Sequence, residues 1–86
     1  MSEIPSWELV SGKLRSRRLA KNFREAIDYF NKIADLAESE GHHPDLHLEE
    51  YRKITIEIWT HAVSGLTEND FILAARIDQL PIGVKP

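Results

Sequence analysis

The chain contains no cysteine. That excludes disulfide staples, thiolate nucleophiles and cysteine-ligated metal centres together, and it removes any argument for secretion. Glycine is scarce: four residues, at positions 12, 41, 65 and 83, never gathered into a phosphate-cradling loop. No serine sits in a nucleophile motif. There is no run of 18 apolar residues, and the opening Met1-Ser2-Glu3-Ile4-Pro5 has no signal-peptide pattern. An excess of positive charge is also missing. Eleven Lys and Arg against 14 Asp and Glu give a net charge of -3, which argues against nucleic-acid binding. The expectation is a cytoplasmic protein with neither a membrane nor a nucleic acid as direct partner; a transit peptide removed after organellar import would leave no trace.

What is present fits one small folded unit. Eighty-six residues with a 42% hydrophobic share are too apolar for disorder and enough for a single domain, 1–86. A core of that size is marginal, so association into oligomers is a reasonable supplement. Trp7 to Val10 reads as a short strand, with Ser11-Gly12 as the turn after it. Lys13 to Ala20 reads as a second strand carrying Lys13, Arg15, Arg17 and Arg18. These cations suggest either an anion or nucleic-acid patch or, as the acidic total favours, a charged strand whose side chains discourage edge pairing and stay solvated. From Asn22 to Glu40, Phe23, Ala26, Ile27, Phe30, Ile33, Ala34 and Ala37 recur at helical spacing and define one apolar face. Asn22 is placed to cap this helix with Glu25 three residues on, and Gly41 to end it.

Asp45 to Tyr51 alternates Leu46 and Leu48 with Asp45, His47 and Glu49. A tight turn near Glu50 to Arg52 leads into Lys53 to His61, where Ile54, Ile56 and Ile58 share one face and Thr55, Glu57, Trp59 and His61 the other. The isoleucines are expected to meet the helix. Thr67 caps a last helix with Asp70 at its third position and Leu66 stapled to Phe71; Phe71, Ala74, Ala75 and Ile77 supply its apolar stripe until Pro81 stops it. The predicted fold is α+β, in the order ββαββα: a four-stranded antiparallel sheet with both helices packed on one face.

All four histidines lie between positions 42 and 61. His42 and His43 stand between a helix-ending glycine and Pro44, which pushes His43 to extended backbone and forbids helix continuation. His42, His43, His47 and His61 have no recognised zinc spacing, so no tightly bound metal is expected. General acid–base work by imidazole remains, since an unperturbed pKa of ~6.5 lets histidine give and take protons near neutrality. Each residue also has a plainer reading. His42 and His43 can answer the dipole at a helix C-terminus, and His61 can be a strand-end histidine with its hydrogen bond met. Asp70 can be a capping partner, Glu38 a solvated last-turn carboxylate and His47 a surface residue. Trp59 can be a pocket wall or an oligomer contact.

The ordered set Glu38, His42-His43-Pro44, Tyr51, Thr60-His61, Gly65-Leu66-Thr67 and Asp70-Phe71 resembles the signature of the pterin-4a-carbinolamine dehydratase family, also known as 4a-hydroxytetrahydrobiopterin dehydratases or dimerisation cofactors. The resemblance runs from Trp7 to about Ile77. It implies loss of water from 4a-hydroxytetrahydropterin to give quinonoid dihydropterin, in tetrahydrobiopterin recycling, without metal or organic cofactor. By position, it makes His42, His43 and His61 the catalytic histidines and Glu38 and Asp70 their supporting carboxylates. His43, Pro44, Asp45, Leu46 and Trp59 are the expected substrate-binding residues. It also implies a homodimer or homotetramer. A non-catalytic regulator or dimerisation cofactor of the same fold is the alternative. Two departures from the family pattern are expected: no helix ahead of the Trp7 strand, where members commonly have one, and Leu46 where some members carry an aromatic residue.

Overall fold

A computed structural model describes residues 7–60 and 65–80. The elements are β1 (Glu8–Val10), β2 (Lys13–Leu19), α1 (Phe23–Glu40), β3 (Asp45–Glu49), β4 (Lys53–Ile58) and α2 (Glu68–Asp78). They form the predicted ββαββα order, with a sheet ordered β1-β2-β4-β3 in which every neighbouring pair is antiparallel.

Two hairpins and one helical crossover generate that order. Ser11 and Gly12 both hold positive φ, 53° and 77°, across the Val10↔Lys13 pair, the mirror-image turn that suits strand twist. The second hairpin turns through Glu50 and Tyr51, at φ 50° and 58°, closed by a 3.2 Å bond from the Arg52 N–H to the Glu49 carbonyl. Between the hairpins α1 crosses the sheet. Asn22 caps it, its side chain accepting the Glu25 N–H at 2.9 Å. Gly41 ends it at φ 66°, with the His42 N–H returning to the Ala37 carbonyl at 3.2 Å and the Gly41 N–H to Glu38 at 3.3 Å.

Strand alternation divides the sheet cleanly. Ile54, Ile56 and Ile58 are buried under the helices, as expected, beside Leu14 and Ser16 of β2 and the half-buried Leu46 and Leu48 of β3. The buried stripe of α1 differs from the expected one. It comprises Ala26, Tyr29, Ile33 and Ala37, while Phe23 (54% exposed), Ile27 (37%) and Ala34 face outward. The cause is Tyr29, whose phenol reaches a partner inside the protein and so can face the sheet. In α2, Leu73 is buried together with Ala74 and Ile77, and Ala75 is exposed. Leu66 and Phe71 pack on the core. Pro81, expected to stop α2, lies outside the described residues.

The cationic strand also departs from expectation. β2 is an interior strand, between β1 and β4, and Arg18 is far from solvated. Its guanidinium donates to Ser16 Oγ at 2.9 Å and to the Tyr29 hydroxyl at 2.8 Å, and pairs with the Asp78 carboxylate. Asp78 in turn accepts the Trp7 indole N–H at 3.1 Å, and the guanidinium lies 5.4 Å from the Trp7 ring centre. Sheet and both helices are joined at this cluster. Burial raises the pKa of Tyr29 against the opposing charge and hydrogen bond of Arg18.

Two consecutive non-glycine residues at positive φ strain the second hairpin. The left-handed region costs an ordinary L-residue roughly 1–2 kcal/mol, of which glycine's greater freedom in the unfolded chain takes back part. Tyr51→Gly is therefore expected to stabilise the fold by about 0.5–1 kcal/mol, read as a higher urea midpoint at unchanged slope. A lower midpoint would mean that the Tyr51 ring contributes more than the strain removes.

Candidate active site

Four backbone segments meet at one end of the sheet: the C-terminus of α1, the start of β3, the end of β4 and the N-terminus of α2. The left-handed Gly41 turns the chain out of α1, and Pro44 directs it into β3, so His42 and His43 sit on a corner fixed at both sides. Beyond β4, Thr60 bridges to Gly65 with paired backbone bonds of 2.8 and 3.3 Å. Thr67 then caps α2, with Asp70 in its first turn.

Asp70 is the centre of this corner. It is fully buried. Its Oδ2 accepts the Thr67 N–H at 2.7 Å and the Thr60 hydroxyl at 2.8 Å, with the Thr67 hydroxyl farther off at 3.5 Å. Its Oδ1 lies 2.5 Å from His42 Nε2. One carboxylate oxygen thus caps the helix while the other faces the histidine. The His42 ring is mostly enclosed, its side chain 18% exposed. His43 is open to solvent and places Nε2 2.8 Å from Glu38 Oε2, itself exposed. The two adjacent histidines therefore have separate carboxylates and opposite environments. His61 lies outside the described residues, in the four-residue segment that the Thr60–Gly65 bridge closes.

The expected binding residues divide between two faces. Pro44 is half-buried at the corner beside His43. Asp45 and Trp59 belong to the open face, with Asp45 opposite Glu57 in the β3–β4 register. Leu46 points the other way and packs on the core under the helices. His47 is on the open face, 52% exposed and 3.6 Å from Glu57 Oε1. Glu57 is bound more closely by Arg15, whose Nε and Nη2 both stand 2.9 Å from Oε2, and more loosely by Lys13 at 4.0 Å. Lys13 Nζ lies 5.0 Å from the Trp59 ring centre. A groove of about 430 Å³, lined among others by Arg17, Leu19, Glu49, Lys53 and Thr55, opens at the other end of the sheet and includes none of these histidines. Among the described residues, no three His, Asp or Glu side chains converge as a metal site would require.

The model of the family described as pterin 4 alpha carbinolamine dehydratase matches residues 1–80. The chain belongs to that family. Pterin-4-alpha-carbinolamine dehydratase 2, mitochondrial, of Arabidopsis thaliana is 49% identical over 86 residues, which cover 95% of this chain and 46% of that protein. The chain thus spans about half the length of this plant relative. A relative from Picosynechococcus sp., whose name also carries pterin-4-alpha-carbinolamine dehydratase, is 45% identical and is covered over 86% of its length. Among solved structures, a transcriptional coactivator/pterin dehydratase from Brucella melitensis superposes with a TM-score of 0.78 at 25% identity, over 85% of this chain and 79% of that one. A pterin dehydratase-like protein described as a RuBisCO assembly factor in the alpha-carboxysome shares the fold at 19% identity, TM-score 0.67.

In this dehydratase-family chain, the threonines around Asp70 are what sequence reasoning missed. Thr67 stood out as a cap and Thr60 only as the residue before His61. A hydroxyl one position before a strand-end histidine was the available signal, but its convergence on Asp70 depends on the return at Gly65.

Glu57 yields a pH prediction. Burial pushes its pKa up, but the Arg15 hydrogen bond and charge, with Lys13 and His47 behind them, outweigh that and bring it below its ordinary 4.5. The unfolded chain then binds the proton more readily than the folded one. The stability that Glu57 contributes is complete above about 4.5 and is lost as pH falls through the lower folded value. Glu57→Gln should lower stability near neutrality and flatten its fall below about pH 4.5, checked by urea unfolding across that range. An unchanged acid slope would remove Glu57 as its source.

Proposed function

We propose that this chain catalyses the dehydration named by its family, removing water from 4a-hydroxytetrahydropterin to form quinonoid dihydropterin. The N5 lone pair moves toward C4a to form the C=N bond as the C4a–O bond breaks. An imidazolium protonates the departing hydroxyl, and a neutral imidazole takes the N5 proton, so the products are water and the quinonoid ring. His42 and His61 carry these transfers in this reading, and His43, with Glu38 behind it, holds the substrate. The single observation that supports it best is the enclosed His42 ring against the buried Asp70, in a chain of this family. An imidazole held in one orientation at a partly open corner suits general acid–base catalysis, worth ~10²–10⁴ in rate.

The test is to add the protein to an aromatic amino-acid hydroxylase reaction and follow decay of the carbinolamine. Acceleration over the spontaneous rate is expected. His42→Ala and His61→Ala should each lower turnover by ~10²-fold or more with little change in binding of an unreactive dihydropterin. His43→Ala should weaken binding more than turnover, and His47→Ala should do neither. A wild-type protein that leaves the spontaneous rate unchanged overturns the enzymatic reading. It would favour a regulatory role instead, a reading supported by the coactivator name of the Brucella structure.

The working form in this reading is a homodimer or homotetramer in the cytoplasm, although the plant relative's name places that protein in mitochondria. Phe23 and Ile27 give α1 an outward apolar stripe, and β1 and β3 are sheet edges that a second copy can extend. Light scattering should give a multiple of 9.9 kDa at micromolar concentration, and Phe23→Glu with Ile27→Glu should reduce it toward one chain. A wild-type mass of 9.9 kDa would refute association.

A further inference from the structure

We infer that Thr60 is a positioning residue of this site: with the Thr67 N–H it saturates Asp70 Oδ2, so that Oδ1 holds His42 in the Nε2–H tautomer and Nδ1 becomes the nitrogen through which His42 exchanges its proton. The inference rests on the dehydratase reading for its last clause only.

The hydrogen-bond inventory leads there. Asp70 is fully buried, so both carboxylate oxygens need donors from the protein. Each threonine hydroxyl has one hydrogen to give. The Thr60 oxygen is 2.8 Å from Asp70 Oδ2, whereas the Thr67 oxygen is 3.5 Å from it and 2.9 Å from Thr60. The ordering that satisfies these distances runs from the Thr67 hydroxyl to Thr60 Oγ1, and from the Thr60 hydroxyl to Asp70 Oδ2. The Thr67 N–H, 2.7 Å away, fills the second lone pair of Oδ2. Oδ1 is left as the acceptor that faces His42 Nε2 at 2.5 Å. A neutral imidazole has one N–H, and the partner of one nitrogen decides which nitrogen carries it. With Nε2 committed as donor to Oδ1, Nδ1 is the basic nitrogen. Among the described residues, Nδ1 meets no other hydrogen-bond partner.

Without the Thr60 hydroxyl, Oδ2 loses a short donor and the carboxylate can turn to share the Thr67 N–H differently. His42 then loses its fixed partner. The consequence is a loss of orientation and tautomer, not of the imidazole itself. Such a change slows the proton-transfer step more than it weakens binding of the ring.

Thr60→Val keeps the shape without the hydroxyl, and Thr60→Ser keeps the hydroxyl without the methyl. Nitrogen chemical shifts of the His42 ring, in protein labelled at histidine, report which nitrogen carries the proton. The expected results are Nε2–H in the wild type and a mixture in Thr60→Val. Turnover in Thr60→Val should fall on the order of tenfold, as loss of one hydrogen bond to a charged group implies, with KM changed less than about twofold. Thr60→Ser should restore both ring state and kcat. A wild-type ring protonated at Nδ1, a Thr60→Val ring that stays wholly Nε2–H, or a Thr60→Ser enzyme as slow as Thr60→Val each overturns the inference. If Thr60→Val does not fold, the wild-type ring and Thr60→Ser decide. The ring measurement needs no turnover, so a protein that fails to accelerate dehydration refutes the proposed function separately.

Discussion

A carboxylate without solvent is the constraint on which this end of the molecule depends. Burying an ionised group is costly unless hydrogen bonds replace its water, and each missing donor costs roughly 1–3 kcal/mol. Asp70 receives its donors from three places that are distant in sequence: the α2 cap at Thr67, the end of β4 at Thr60 and the corner after α1 at His42. None of these segments can shift alone without leaving the carboxylate short of a partner. The left-handed Gly41 and Pro44 matter for the same reason. They fix where the chain leaves α1, and so fix the distance from His42 to an acceptor set by a different helix.

Arg18 plays the matching part on the helix-covered face of the sheet. Its guanidinium meets Ser16 on its own strand, Tyr29 on α1 and Asp78 at the end of α2. Such a fork offers several donors in a rigid plane, which lets one side chain fix a strand against two helices. Small residues make the approach possible, since Ala26, Ala37 and Ala74 are buried where a larger side chain would hold the helices off the sheet. The two ends of α2 are thus tied to different partners, Asp70 to the histidine corner and Asp78 to Arg18 and Trp7. The helix that supplies the site's buried carboxylate is therefore anchored at both ends.

Local signals in the sequence carried the architecture. Period-two isoleucines in β4, the Asn22 cap, the Gly41 stop and the Thr67–Asp70 helix start all act through backbone geometry within a few residues, and all stand where expected. What was not legible depended on long-range partners. The α1 face was misjudged because Phe23 and Ile27 are more apolar than Tyr29, and only a guanidinium from β2 makes Tyr29 the better core residue. Arg18 was grouped with solvated cations because sequence gives no sign of Asp78, sixty residues away, or of the indole above it. The site shows the same division. Its histidines and carboxylates stood out by type and spacing, whereas the matching of His42 with Asp70 and His43 with Glu38 required the fold.

In the proposed reading, the two histidine pairs let one corner serve two roles. His43 and Glu38 are exposed, in water that weakens their attraction and leaves both side chains free to rearrange around a bound molecule. His42 and Asp70 are enclosed, where charge interactions are stronger and motion is limited. Proton transfer rewards a donor or acceptor already in place, because reorientation adds to the barrier. Binding a flat polar ring tolerates adjustment. The peptide bond between His42 and His43 therefore separates a fixed imidazole from an adaptable one. The Gly41 turn and the Pro44 restriction on His43 place that division at the edge of the core.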